Sequence, residues 1–366
     1  MEHLAVTPYF SGSYAEARNK FLNVANAQGA QVESYPLAGY IGLLGEELAI
    51  DVAYLGRRDA KHLLIVSSGT HGPEGFAGSG CQVAMLQDQA LIQKLETSDI
   101  GVLLIHALNP YGFSYLQRHN QDNVDLNRNH IDFNDPLPVN ADYSKVHKLV
   151  IPDTWPPSDA VEAEVRLYIE NHGELAFRRA VTSGQYSVPG GMFYGGTEPT
   201  WNNVQLRAIL RQYAARSQRV GWIDIHTGLG PFGHGEKIYA GRENPVDVER
   251  ARRWWGADVF APFEGDSISP QVSGSVVSTI YDECSNAEAV LMGLEFGTRP
   301  MSETMYQLRA SQWFLERPEL SQAEALFDVR QKIRDSFYCD SDLWKGMVWG
   351  QTRTIVLQTL TSLADA

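Results

Sequence analysis

An α/β fold, with helices on both faces of a twisted, mostly parallel mixed sheet, is predicted by three features of the sequence. Short apolar runs end in turn-forming residues, longer stretches with helical spacing lie between them, and the two kinds of segment alternate along the chain. The 366 residues, 43% hydrophobic and 20% charged, suffice for a large buried core. We expect a single three-layer α/β/α domain over residues 1–366, with the informative motifs between about 60 and 300 and an extension at either end.

The clearest strands are "HLLIVSSG" from His62, "GVLLIHALN" from Gly101, "GWIDIH" from Gly221 and "AVLMGLEFG" from Ala289. After the first, residues 78–95 place Val83, Leu86, Ala90, Leu91 and Leu95 near helical spacing. Residues 136–157 read as a proline-punctuated connection. Residues 158–181 read as a second packing helix, opened by Ser158 as N-cap with Glu162 close behind. The glycine-rich stretch 187–201 has no Gly-Lys-Ser/Thr after it, so it is no phosphate loop. It reads as a cavity-lining loop or as a plain surface turn.

Composition excludes several classes of function. With 30 basic against 44 acidic residues the formal charge is −14, and no basic cluster offers a footprint for phosphate backbones, so nucleic acid is not an expected partner. Cys81, Cys284 and Cys339 are scattered without CxxC spacing, which argues against a disulfide framework or a thiolate zinc site. No run of about 18 apolar residues occurs and no basic segment leads into an apolar one near the start. We therefore expect a soluble cytoplasmic protein with no membrane partner.

The first strand ends in "SSGTHGPEGF", where His71 and Glu74 stand three residues apart among Gly69, Gly72, Pro73 and Gly75. Loops at strand ends carry much of the chemistry of α/β folds. Alone, the pair says little. His226, however, ends another apolar strand, and sheet neighbours bring strand ends together. His71, Glu74 and His226 are three ligands of the types zinc takes in catalytic sites, with the fourth position left open. A third strand carries Glu295 among Val290, Leu291, Met292, Leu294 and Phe296, where an unpaired charge is costly. Either it pairs with Arg299, or it is a general base whose pKa burial raises and a metal lowers.

The stretch "NPYGFSYLQRHNQDNVDLNRN" (109–129) completes an ordered set: HxxE, NPxG, an arginine, DxNR as "DLNR", a strand-terminal histidine, a tyrosine and a glutamate. In that order the set resembles the zinc metallocarboxypeptidase family typified by carboxypeptidase A. The resemblance implies one zinc ion per chain on His71, Glu74 and His226, with Asp125 supporting His71. It implies that Asn127 and Arg128 hold the substrate's terminal carboxylate, that Arg118 steadies the developing oxyanion, that Glu295 is the catalytic base and that the Tyr281 hydroxyl bonds the bound peptide. The 14 residues from Tyr281 to Glu295 and the ten from Arg118 to Arg128 are compact. In this the chain is closer to bacterial branches of the family and to the aspartoacylase and succinylglutamate desuccinylase group. The expected activity is hydrolysis of an amide next to a free carboxylate, in a peptide first and in an N-acyl amino acid second. A non-catalytic zinc- or ligand-binding module stays open as a third reading.

Simpler roles are expected for the remaining candidates. His106, on an apolar strand, reads as a core histidine. His119, His130 and His147 read as surface or loop residues. Arg118 has Asp122 as an alternative partner in a surface ion pair.

Overall fold

The computed structural model describes residues 6–96, 98–320 and 324–365. Eight strands form one sheet: β1 (Gln31–Ile41), β2 (Glu47–Leu55), β3 (His62–Ser67), β4 (Ile100–His106), β5 (Arg219–Phe232), β6 (Gly235–Tyr239), β7 (Val259–Phe260) and β8 (Glu288–Gly297). Their order across the sheet is β1-β2-β4-β3-β5-β8-β6-β7. The central strands β4, β3, β5 and β8 run parallel, while β1, β2 and β6 join antiparallel. The predicted α/β class with a mostly parallel mixed sheet is what the chain adopts.

Alternation along the strands builds a core on each face, because successive side chains point to opposite sides of a sheet. Leu64, Val66, Ile223, Ile225, Met292 and Leu294 face one core, covered by helices Tyr14–Ala27, Gly75–Gln87 and Asp342–Ala364. Leu63, Ile65, Val220, Trp222 and Leu291 face the other, covered by helix Trp201–Tyr213 and residues 276–284. The terminal segments thus belong to the main core: Trp344, Val348, Ile355 and Leu360 of the last helix are buried in it. A third apolar cluster joins helices Tyr143–Val150, Glu174–Thr182, Met301–Leu315 and Glu324–Phe337.

Several local readings need correction. The helix expected over 78–95 is two, Gly75–Gln87 and Gln89–Glu96, interrupted where Asp88 turns to extended backbone (ψ 101°) and caps the second piece, its Oδ1 accepting from Ala90 N. The helix expected over 158–181 also divides, into Asp159–His172 and Glu174–Thr182, because Gly173 sits at φ +88°. Its start is as read, with Ser158 Oγ accepting from Val161 N. Within 136–157 the segment Tyr143–Val150 is helical, and it buries Tyr143, Val146 and Val150. The three cysteines are free and buried. Among the described residues no helix is long and apolar enough to cross a membrane.

Candidate metal centre and its cavity

His71, Glu74 and His226 come together just past the carboxyl end of β3, beside the middle of the longer β5, with ligand atoms all within 4.8 Å of one another. His71 leaves β3 through a turn, and Gly72–Glu74 forms a single 3₁₀ turn that aims Glu74 back at the sheet. The glycines there are steric requirements. A Cβ on Gly72 would collide with the backbone of Gly112, and one on Gly75 would meet the Phe113 ring at 2.6 Å. The NPxG motif accounts for that close approach: Asn109 Oδ1 accepts from Gly112 N at 2.8 Å, and Asn109 Nδ2 donates to Arg118 O at 3.1 Å. One asparagine therefore caps the turn packed on His71 and fixes the backbone of Arg118.

Both histidines turn Nδ1 toward the same carboxylate. His71 Nδ1 lies 2.9 Å from Glu74 Oε1, and His226 Nδ1 lies 2.9 Å from Glu74 Oε2. Their Nε2 atoms are held from behind, His71 by Asp125 Oδ1 at 3.2 Å and His226 by Asp224 Oδ2 at 2.6 Å. This is the pattern of metal-ligating histidines, in which an outer carboxylate fixes ring orientation and raises basicity. Two imidazoles and one carboxylate, convergent, buried and open to a cavity, fit a zinc ion by donor type and number.

Asp224 is a residue that the sequence reading missed. It accepts from Ser67 Oγ at 2.6 Å and Thr70 Oγ1 at 3.0 Å, and Trp222 Nε1 in turn donates to Ser67 Oγ. A signal for it was present, since Asp224 and His226 are two apart on a strand and so share one face. Asp125 serves His71 as expected, and it does more: its Oδ2 accepts from Arg118 Nε at 2.9 Å and its Oδ1 from Asn127 N.

The electrostatics follow from this packing. Burial pushes the Glu74 carboxyl up, but His71 and His226 outweigh it and hold the group below its usual range. Asp125, also buried, is held well below by Arg118, Arg128 and His71. For His226 burial acts downward, and Asp224 with Glu74 prevails to raise it well above the ordinary imidazole value.

Glu295 is the register partner of His226 across β5 and β8. Arg299 is not its counter-ion; Glu295 Oε1 instead accepts from Leu229 N at 3.0 Å. Burial, then the charge of Glu74, raises its pKa to about 8. A carboxyl so placed can hold a proton at neutral pH and exchange it.

Arg118 pairs with Asp125 and, at 3.5 Å, with Glu74, and not with exposed Asp122. Asn127 and Arg128 line the same cavity of about 260 Å³, near the lower end of ligand-pocket sizes. Asn127 Oδ1 accepts from Val276 N. Arg128 is tied to the backbone, with Nη1 donating to Asn127 O at 2.8 Å and Nη2 to Thr182 O at 2.6 Å. The stretch 187–201 is a cavity-lining loop: Phe193, at φ +53°, lies beneath the guanidinium groups of Arg118 and Arg128, 5.0 and 5.7 Å from its ring centre. Nothing in the residue types pointed to Phe193.

Tyr281 is not brought into the cavity. Its hydroxyl accepts from Arg242 N at 3.3 Å and its ring lies under the Arg242 guanidinium, while Tyr239 and Gly241 form the neighbouring wall. His106 is a core histidine, as expected: Ser79 Oγ is 2.9 Å from its Nε2, Phe21 stacks on it and burial pushes its pKa down to about 3. His119 and His130 lie in loops, one of the two placements expected for them, and are buried there; Thr279 Oγ1 lies 2.6 Å from His130 Nδ1. His147 is half-buried on helix Tyr143–Val150.

The chain belongs to the family described as a protein of unknown function (DUF2817), which matches residues 10–351. No curated protein matches the sequence. Among solved structures the chain is similar to carboxypeptidase A from Helicoverpa armigera, with 14% identity, 97% of this chain and 75% of the other covered, and a TM-score of 0.48. It is also similar to bovine thrombin-activatable fibrinolysis inhibitor in its complex with tick carboxypeptidase inhibitor, with 14% identity, 89% and 98% covered and a TM-score of 0.45.

Proposed function

We propose that the protein is a zinc-dependent hydrolase that cleaves an amide bond next to a free carboxylate, acting as a carboxypeptidase on a peptide C-terminus. The observation that carries this reading is the placement of buried Glu295 in register with His226, beside a convergent His71–Glu74–His226 set. Zinc held by these three residues would supply an acidified water and polarise the scissile carbonyl. Glu295 takes the proton from the attacking water, keeps it in its buried site and returns it to the leaving amine. Arg118, braced by Asp125 over Phe193, directs its guanidinium charge at the developing oxyanion. Asn127 and Arg128 bind the free carboxylate, which orients the amide between Glu295 and the ligand set.

An N-acyl amino acid presents the same amide and carboxylate, so deacylation is the second outcome to test. Zinc-supplemented protein is incubated with pooled peptides and N-acyl amino acids, and the products are read by mass spectrometry. Loss of single C-terminal residues supports the carboxypeptidase reading. Release of free amino acids from acyl compounds alone replaces it with a deacylase, and no cleavage of either set leaves a binding module.

A further inference from the structure

Phe193 sits beneath two arginines of the cavity in a backbone conformation that its residue type disfavours. Its φ is +53°, and among the described residues only Ala107, Leu116 and Asn123 share a positive φ without being glycine. Left-handed backbone is costly for a bulky side chain, and glycine takes it freely. Gly191 and Gly195 stand two residues to either side, yet the left-handed position itself carries a ring. Strain of this kind persists only where the surrounding structure enforces it, and it gathers at functional sites.

The enforcement is local. Phe193 O accepts from Gln185 N at 3.1 Å, Met192 N donates to Tyr143 Oη at 2.7 Å, and Tyr194 O accepts from Asp125 N at 2.8 Å. Asp125 is the carboxylate that braces Arg118 and whose charge also acts on Arg128. Adjacent residues of one loop therefore supply the ring beneath the guanidinium groups and anchor the carboxylate that serves them.

Hydrogen bonds alone leave the pair of arginines incompletely held. Arg118 Nε donates to Asp125, and Arg128 Nη1 and Nη2 donate to backbone carbonyls, but the buried Arg128 Nε has no hydrogen-bond partner among the described residues. Burial and the Arg118 charge both act against the Arg128 cation, and Asp125 acts for it. The face of an aromatic ring is negative. One ring within about 6 Å of two guanidinium groups attracts both and lowers the cost of holding like charges side by side.

We propose that Phe193 is a positioning residue that sets the Arg118 and Arg128 guanidinium groups in the orientations in which they meet the oxyanion and the carboxylate of the substrate. The proposal rests on the hydrolase reading above for what the two arginines bind, and on geometry alone for what Phe193 does to them.

The test reads the arginines with and without turnover. In zinc-supplemented protein carrying isotope-labelled arginine, the Nε–H magnetic resonance signals are assigned through Arg118→Lys and Arg128→Lys, and their order is measured by relaxation. Both groups should be ordered in the wild type and in Phe193→Tyr, which keeps the aromatic face. Both should become mobile in Phe193→Leu and Phe193→Met, which fill the site without one; circular dichroism checks that each variant is folded. On a peptide that the wild type cleaves, Phe193→Leu should lose about 5- to 30-fold in kcat/KM, the scale of a desolvated cation–π contact, and Phe193→Tyr should keep most of the wild-type value. The loss should not add to that of Arg118→Ala, because both changes remove the same contact. Unchanged arginine order or wild-type efficiency in Phe193→Leu and Phe193→Met, or equal losses in Phe193→Tyr and Phe193→Leu, overturns the proposal. Unfolding of both aliphatic variants would mark a packing residue and overturn it too. Should the wild type cleave no amide, the hydrolase reading falls and the spectra alone decide the role of Phe193.

Discussion

Glu295 and His226 stand opposite each other in the register of the two parallel strands β5 and β8. The pairing puts a buried carboxyl one strand spacing from an imidazole that shares Glu74 with His71. Among the described residues no basic side chain forms an ion pair with Glu295, so its chemistry would depend on whatever His71, Glu74 and His226 hold.

The Glu295→Gln protein should therefore keep its fold and its zinc but lose turnover by about 10² or more, the usual scale for a positioned acid/base. Metal analysis and steady-state kinetics on the same preparation check this. Wild-type rates would leave Glu295 a structural residue.

The stability of metal-free protein should carry a signature of the same carboxyl. Its folded pKa of about 8 lies above the ordinary 4.5, so between these values the folded state binds more protons than the unfolded one. The contribution of Glu295 is then fully present below pH 4.5 and is lost as pH rises through 8. The amide of the Glu295→Gln variant does not titrate. The melting temperature of that variant relative to wild type should rise between about pH 5 and pH 9, and a difference independent of pH would count against the raised pKa.

Asp224→Asn should weaken zinc binding by about 10- to 100-fold, the usual cost of removing an outer carboxylate partner of a ligating histidine. The amide also sets a donor where Ser67 and Thr70 already donate, so stability should fall by about 1–3 kcal/mol. Competition against a fluorescent chelator and chemical denaturation measure the two effects. Unaltered affinity would make Asp224 a brace of the strands alone.

For the carboxylate clamp, amidating a peptide substrate should cost the wild type about 10- to 150-fold in kcat/KM, and Arg128→Ala should abolish most of that discrimination. Because Arg128 also holds Asn127 O and Thr182 O, the variant will lose stability as well. The ratio of efficiencies for free and amidated peptide is thus the quantity to compare. A ratio unchanged by Arg128→Ala would show that Arg128 only braces its loop.

The central strands were legible because burial on both faces writes continuous apolar runs, against which the three residues His71, His226 and Glu295 stand out. Helix interruptions were less so: Asp88 and Gly173 are single residues inside otherwise helical patterns, and tertiary packing decides whether they break. The edge strands escaped notice for the opposite reason, since β1 is largely exposed and lacks an apolar run. Asp125 was found through its motif, whereas Asp224 belongs to no motif of the ordered set and its place two residues before His226 was the only signal for it. Tyr281 was singled out by motif order alone, and sequence position does not say which way a short helix presents its ring; here the ring lies against Arg242.

The most direct measurement is zinc content by native mass spectrometry, made on the wild type, His71→Ala and His226→Ala after identical loading and dialysis. The account predicts about one zinc per wild-type chain and little in either variant, with all three folded by circular dichroism. Full occupancy in either histidine variant, or a wild type that retains no zinc, would contradict it.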